Sequence, residues 1–415
     1  MRLLVLTNSF PPSNLANAKR PGYLVRGFLD AGWEVDVVSS RLGMDLNARE
    51  TFVHPALRIR RMDDPADRLT RLFASDSAVF RAVKTSLYGS LWPDECVLWS
   101  LRLMAVARKA REYDRVLGFV FPASVLLADF PGGRVDRRWV FDFQEPMSPQ
   151  QRRHPRRSPV HRLLLPWLTK LERRVLQKAG RVVFTADTNL RTYVGEQLIE
   201  KSQAVHVPYF FDAAAFREPA PAVENRFQIV YPGVFDWAGA RSPETFLRAL
   251  ALFLERKPEA RSQTNFLFHG IWLSEHNRFL SELKLHDVVT LRPPVAYQEY
   301  LALLKQSPVL LLVVAAAHNL FMPSKIADYF GAHRPILAFA PRDSEMRRVL
   351  EQAGMAGNTN DESDVVAGAA SLERLWERFR AGKLAAADAR TEAWSSEIQV
   401  PRYLQIVRHS TDVSE

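Results

Sequence analysis

Residues 309–339 read VLLLVVAAAHNLFMPSKIADYFGAHRPILAF, and their reading decides the fold. Val309 to Val314 is leucine-rich and β-branched without polar alternation, which predicts a strand buried on both faces. The segment Ser324–Ala332 reads as a helix, with Ser324 after Pro323 as its N-cap and Gly331 near its end. A second apolar strand, Ile336 to Phe339, follows. Strand, helix and strand in this order predict two parallel strands joined by a helical crossover.

The same unit recurs outward in both directions. Upstream in the second half, strands are expected at Phe227–Tyr231, Asn265–His269 and Val288–Leu291, alternating with helices at Glu244–Arg256, Glu275–Lys284 and Tyr297–Lys305. A further helix is expected downstream at Ser344–Ala353. In the first half, Leu3–Leu6, Glu34–Val38, Arg115–Val120, Trp139–Phe143 and Arg181–Thr185 read as strands, with a helix at Pro21–Ala31. Two separate series, in a chain of 415 residues, predict an α/β protein of two doubly wound, Rossmann-like domains. The expected division is 1–205, a proline-containing linker at 206–225, a second domain at 226–392, and a C-terminal helix at 393–415 packing back on the first. Ligands in such sheets lie beyond the carboxyl ends of the strands, so both domains should turn their βα loops to a shared cleft.

Composition narrows the class. With 47% hydrophobic and 25% charged residues the chain is neither disordered nor fibrous. Its one cysteine, Cys96, excludes an intramolecular disulfide and any CxxC metal or redox site. The opening MRLLVLTNSF is too short in apolar residues for a signal peptide, and the longest apolar run, Val309 to Ala317, is nine residues where a span needs about 20. A cytoplasmic protein is expected. Charge is divided unevenly: residues 1–200 hold 32 Lys+Arg against 21 Asp+Glu, and residues 201–415 hold 24 against 25. The first half should therefore meet something anionic: a membrane, a phosphorylated acceptor or nucleic acid.

The helix opened by Pro323-Ser-Lys325 carries the clearest chemistry. A helix N-terminus presents amides and a positive dipole end, so a diphosphate there would be held by Ser324, its neighbouring amides and Lys325. Asp328 could accept hydrogen bonds from ribose hydroxyls, with Tyr329 beside it. The alternative is a solvated Lys325–Asp328 pair on the helix surface.

These residues resemble nucleotide-sugar glycosyltransferases of the GT-B architecture, family-four-like enzymes of bacterial polysaccharide synthesis. The likeness rests on Val230-Tyr-Pro-Gly233, Arg241-Ser-Pro243, Phe268-His-Gly270, Pro293-Pro-Val295, the Pro-Ser-Lys helix and Arg334-Pro-Ile-Leu337. In the first half it rests on Phe10-Pro-Pro12, Trp92-Pro-Asp94 with Trp99, and Asp142-Phe-Gln-Glu145. The resemblance implies a nucleoside-diphosphate sugar on the second domain, bound by Gly233, Arg241, Gly270, His318, Ser324, Lys325, Asp328 and Tyr329. Arg241 and Lys325 would face the diphosphate and stabilise it as it departs, with no cofactor and no metal; the chain has no Asp-X-Asp triplet.

Two positions depart from the pattern. The family's paired Glu, separated by seven residues, are Leu320 and Asp328 here, and its Gly-Gly loop is Ser13-Asn-Leu-Ala-Asn-Ala18. For acid/base work the first domain offers Asp142 and Glu145 at a strand's carboxyl end, and for the acceptor Asn14, Lys19 and Arg20. Either carboxylate could instead be structural, and Lys19 and Arg20 could merely begin a solvated helix.

Between Gln151 and Arg181 lie ten Lys or Arg and one acid, Glu172. Val160, Leu163, Leu164, Trp167, Leu168, Leu171 and Val175 fall at helical spacing within this stretch, with Pro166 as a kink or a start. The lead, Arg152, Arg153, Arg156, Arg157 and Arg162, is expected to contact an anionic membrane, and the later part of the helix to pack on the sheet. The implied acceptor is a lipid-linked glycan at the inner membrane face. Nucleic acid is disfavoured because no reader motif accompanies the charge. A scaffold that binds nucleotide sugar without turnover, or a nucleotide-sugar isomerase of related build, are the other readings.

Overall fold

The structure, a computed structural model, describes residues 1–13, 15–41, 52–63, 91–94, 96–130, 132–153, 159–218, 225–235, 241–316, 320, 322–384 and 390–412. It divides into two compact units, Met1–Pro208 with Gln399–Glu415, and Tyr209–Ile398. Within the stretch 206–225, expected as a linker, His206 ends a strand and Ala213–Arg217 is a short helix capped by the Asp212 carboxylate.

The first unit holds seven strands: β1 (Arg2–Thr7), β2 (Glu34–Ser40), β3 (Leu57–Met62), β4 (Arg115–Phe119), β5 (Trp139–Phe143), β6 (Arg181–Phe184) and β7 (Ala204–His206). Their order is β3-β2-β1-β4-β5-β6-β7, and every pairing is parallel. β1 and β5 are buried on both faces, as inner strands of a parallel sheet are: Leu3 to Leu6 are buried, and so is every residue of β5, the carboxylate Asp142 among them. The helix Ser396–Arg408 belongs to this unit from Gln399 onward. It lies so close to the helix Lys19–Asp30 that a Cβ on Gly27 would come within 2.2 Å of Val400 Cγ1.

The second unit holds β8 (Phe227–Val234), β9 (Thr264–Ile271), β10 (Val289–Arg292), β11 (Val309–Val313), β12 (Ile336–Phe339) and β13 (Thr359–Asn360). Their order is β10-β9-β8-β11-β12-β13, again parallel throughout. A core of Phe227, Phe246, Phe253, Phe266, Leu372 and Trp376 packs one face of the sheet against the helices Glu244–Arg256 and Val365–Arg380. In each sheet the order reverses once, between β1 and β4 and between β8 and β11. Loops leaving the carboxyl ends there splay apart and open a crevice that the strands themselves do not fill.

Candidate functional site

The β8/β11 reversal brings together residues that are far apart in sequence. β8 ends in Pro232, Gly233 and Val234, and the helix Lys325–Ala332, which follows β11, starts beside Pro232 and Gly233. The Lys325 Nζ donates to the Pro232 carbonyl at 2.8 Å and stands 3.8 Å from the centroid of the Tyr231 ring. Gly233 is what lets the ammonium in: at φ 143° it occupies backbone space that side chains disfavour, and a Cβ there would meet Nζ at 2.8 Å. Gly270 pairs with Gly233 across β8 and β9, and its own Cβ would fall 1.7 Å from the Gly233 carbonyl oxygen. The two glycines thus serve packing as well as access.

Electrostatics makes this corner hungry for an anion. Burial, and then the nearby Arg241 charge, hold the Lys325 ammonium well below its ordinary pKa. Burial raises the Tyr231 hydroxyl, and Arg241, through its charge and a side-chain hydrogen bond, opposes that rise. Two cations therefore converge on one phenol and one carbonyl, and among the described residues neither Lys325 nor Arg241 forms an ion pair. A diphosphate between them would supply the missing countercharge and restore the ammonium's affinity for its proton.

Other expected donor residues fall out differently. Ser324 occupies the N-cap position but with helical φ and ψ, and its side chain makes no capping bond. The amides of Ile326 and Ala327 already donate to the carbonyls of Pro323 and Ser324, at 3.1 and 3.3 Å, so a ligand would have to compete for them. Asp328 is nearly buried and accepts from the Tyr297 hydroxyl at 3.3 Å; it is not half of a solvated pair with Lys325, whose ammonium turns to Pro232 instead. Tyr329 is corrected outright: its fully buried ring faces the sheet, and its hydroxyl donates to the Leu311 carbonyl at 2.9 Å, so it cannot meet a ligand. Desolvation pushes that hydroxyl well above its ordinary pKa. His318 lies outside the described residues. Leu320, where the resemblance would place a carboxylate, is buried.

In the first unit the structure separates the two carboxylates. Asp142, at the end of β5, is wholly buried, and its oxygens take Arg20 Nε at 3.0 and 3.1 Å, Arg20 Nη2 at 2.9 Å and the Tyr403 hydroxyl at 2.9 Å. Arg20 spends its remaining reach on the carbonyls of Pro208 and Val207, at 2.8 and 3.1 Å. Both expectations fail for one reason. A carboxylate saturated by a fork and a phenol cannot take a substrate proton, and a guanidinium buried under them cannot bind an acceptor. Glu145, three residues on, is half-buried beyond the strand's end, and Lys19 is half-buried at the start of its helix. Asn14 lies outside the described residues.

Sequence reading missed Tyr231, Pro232 and Tyr297. Tyr231 and Pro232 stood inside a quoted motif, yet nothing local says that a lysine 93 residues later will lean on them.

The basic lead is also rearranged. Arg152 pairs with Glu196 and donates to Ser148 Oγ at 3.1 Å and Thr169 Oγ1 at 2.9 Å, so it braces its own unit. Arg153 and Arg162 are exposed, while Arg156 and Arg157 lie outside the described residues. Among the described residues no helix is long and apolar enough to cross a membrane.

Two doubly wound units, each with its switch point at a parallel sheet's carboxyl edge, define the GT-B fold. Solved structures that share it with this chain include glycosyltransferases. A sucrose-phosphate synthase from Thermosynechococcus elongatus is 16% identical, with a TM-score of 0.65 over 100% of both chains. WaaG, a glycosyltransferase involved in lipopolysaccharide biosynthesis, is 13% identical, with a TM-score of 0.63 over 98% of this chain and 99% of that one. A UDP-forming α,α-trehalose-phosphate synthase from Burkholderia xenovorans is 13% identical, with a TM-score of 0.61 over 99% of each. No family model matches the sequence, and no curated protein matches it.

Proposed function

We propose that the chain is a glycosyltransferase that moves a sugar from a nucleoside-diphosphate sugar, bound by the second unit, to an acceptor bound by the first. The observation that carries this reading is the convergence of Lys325 and Arg241 beside Gly233 at the β8/β11 switch point. In transfer the bond from the sugar's anomeric carbon to the diphosphate breaks as a new one forms to an acceptor hydroxyl. The negative charge that grows on the leaving diphosphate is met by cations already in place, which stabilise the transition state more than the bound donor. No divalent metal is needed for that task. Glu145, half-buried just beyond the carboxyl end of β5, is the first unit's candidate to receive the hydroxyl proton.

The acceptor we propose is a lipid-linked glycan phosphate at the inner face of a membrane, in cell-surface polysaccharide synthesis. The excess positive charge of residues 1–200 supports it, because a neutral sugar acceptor would leave that excess without a role. Buried Leu320 favours a second reading, a protein that binds the nucleotide sugar without turning it over.

A single experiment tests both. The chain is incubated with a panel of nucleoside-diphosphate sugars, with and without bacterial lipid-linked acceptors, and the release of free nucleoside diphosphate is followed. Acceptor-dependent release is expected. Binding of a donor without release under any acceptor would favour the second reading, and release without acceptor-dependent product would defeat the transfer proposal.

A further inference from the structure

The helix Pro159–Leu176 has two apolar faces, and only one is used. His161, Leu168, Glu172, Val175 and Leu176 are buried against the first unit. Val160, Leu163 and Trp167 are 40%, 77% and 63% exposed. At 3.6 residues per turn those three positions fall on one side of the helix, away from the buried set. A single exposed leucine is ordinary. A valine, a leucine and a tryptophan aligned over two turns form a continuous apolar stripe.

What frames the stripe indicates what covers it. The Lys170 ammonium stands 5.8 Å from the Trp167 ring, and Arg162 and Arg174 are exposed on the same helix. Arg174 lies over the neighbouring loop, where a Cβ on Gly132 would come 2.3 Å from its Nη2; Phe130, two residues before Gly132, is 57% exposed. The only acid of the helix, Glu172, is buried on the opposite face. A second copy of the chain would bring the same positive charge against this face, whereas an anionic lipid surface would neutralise it. Because the helix joins β5 to β6 in a parallel sheet, its N-terminal turns, with Val160 and Leu163, lie toward the carboxyl edge of the sheet, the edge of Lys19 and Glu145.

We infer that Val160, Leu163 and Trp167 form an interfacial anchor. These side chains sink to the acyl boundary of an anionic bilayer, Trp167 sits at headgroup level, and Arg162, Lys170 and Arg174 extend among the lipid phosphates. This deepens the lipid-linked acceptor reading by naming the surface that meets the lipid, and it replaces a purely electrostatic hold by the Arg152–Arg157 lead.

The test uses the full chain and vesicles of phosphatidylcholine with and without phosphatidylglycerol. Leu163→Ser with Trp167→Ser should lower partitioning onto the anionic vesicles at least about tenfold, from the apolar contact removed. Trp167→Phe should keep most of the binding. Brominated lipid should quench the tryptophan emission of the parent and quench Trp167→Phe much less. Thermal melting and nucleoside-diphosphate binding of the double variant serve as controls for folding. If the double variant partitions like the parent while neutralising Arg152, Arg153, Arg156 and Arg157 releases it, charge alone holds the protein and the anchor is refuted. It is refuted equally if the parent ignores vesicles and is a dimer that the double substitution dissociates. A chain that shows no transfer but loses vesicle binding on these substitutions would defeat the transfer reading and leave the anchor standing.

Discussion

The Tyr403 hydroxyl donates to the Asp142 carboxylate at 2.9 Å, across 261 residues of sequence. With Arg20 they form one buried cluster that ties the C-terminal helix to the carboxyl end of β5. Breaking a buried pair leaves a charge with neither water nor partner, so Asp142→Ala should destabilise the first unit by about 3–5 kcal/mol. Tyr403→Phe, which removes one hydrogen bond to a charged group, should cost about 1.5–3 kcal/mol. Denaturant unfolding measures both. An Asp142→Ala protein of parental stability but no activity would restore Asp142 as a base.

Lys325 should trade stability for binding. Its folded pKa is lowered, so the unfolded chain binds the proton more tightly, and the penalty is complete below the folded pKa and fades as pH rises toward the unfolded value. At neutral pH, Lys325→Met should therefore raise the melting temperature of the unliganded protein. It should also weaken nucleoside-diphosphate binding by about 1.5–3 kcal/mol and abolish most ligand protection in a thermal shift. A variant that is less stable and binds as before would overturn this account of the site.

Arg241→Ala should weaken the same ligands by a similar amount, because it removes a charge-assisted contact. It should also relieve Lys325, whose pKa Arg241's charge lowers. Calorimetry across pH separates the two effects: the single variant should show a smaller proton uptake on binding than the parent.

Glu172 gives the first unit a pH dependence of its own. Burial raises its carboxyl to about 7 even though the Ser148 amide and the Tyr193 hydroxyl donate to it, at 3.1 and 2.7 Å. A raised folded pKa means that the stabilising protonated form is fully present below about 4.5 and is lost as pH rises through about 7. At most on the order of 3 kcal/mol is at stake. Glu172→Gln should flatten the stability profile of this unit over that window, as followed by urea midpoints at several pH values.

Gly270→Ala should deform the donor site without touching a charged residue. The added methyl would lie 1.7 Å from the Gly233 carbonyl oxygen, so Gly233 must move and the Lys325 contact with it. A loss of about 2–3 kcal/mol in stability, together with weakened nucleotide binding, is the expected result. Parental values in both would show that the glycine pair is incidental.

The sequence by itself determined the two parallel series, because a strand buried on both faces and a crossover helix are local patterns of period and length. It also marked Lys325, Arg241 and Gly233, each next to a strand end or helix start. Three strands escaped it for local reasons. β7, Ala204–His206, is only three residues long. β3 reads Leu-Arg-Ile-Arg-Arg-Met, an edge strand whose Arg58 and Arg60 face solvent, and β13 is two residues long. Side-chain direction and long-range partners were decided only by the tertiary structure. Asp142 and Glu145 stand three residues apart in one motif, yet Asp142 is wholly buried against Arg20, 122 residues away, and Tyr403, while Glu145 is half-buried beyond the strand's end. Tyr329 follows Asp328 directly, but a helix turn places its ring against β11. Trp167 and Leu168 are adjacent apolar residues, one exposed and one buried, because the helix has a single face on the sheet. Periodicity tells which residues share a face; what that face meets is set by packing of chain segments hundreds of residues apart, and no window of sequence contains it.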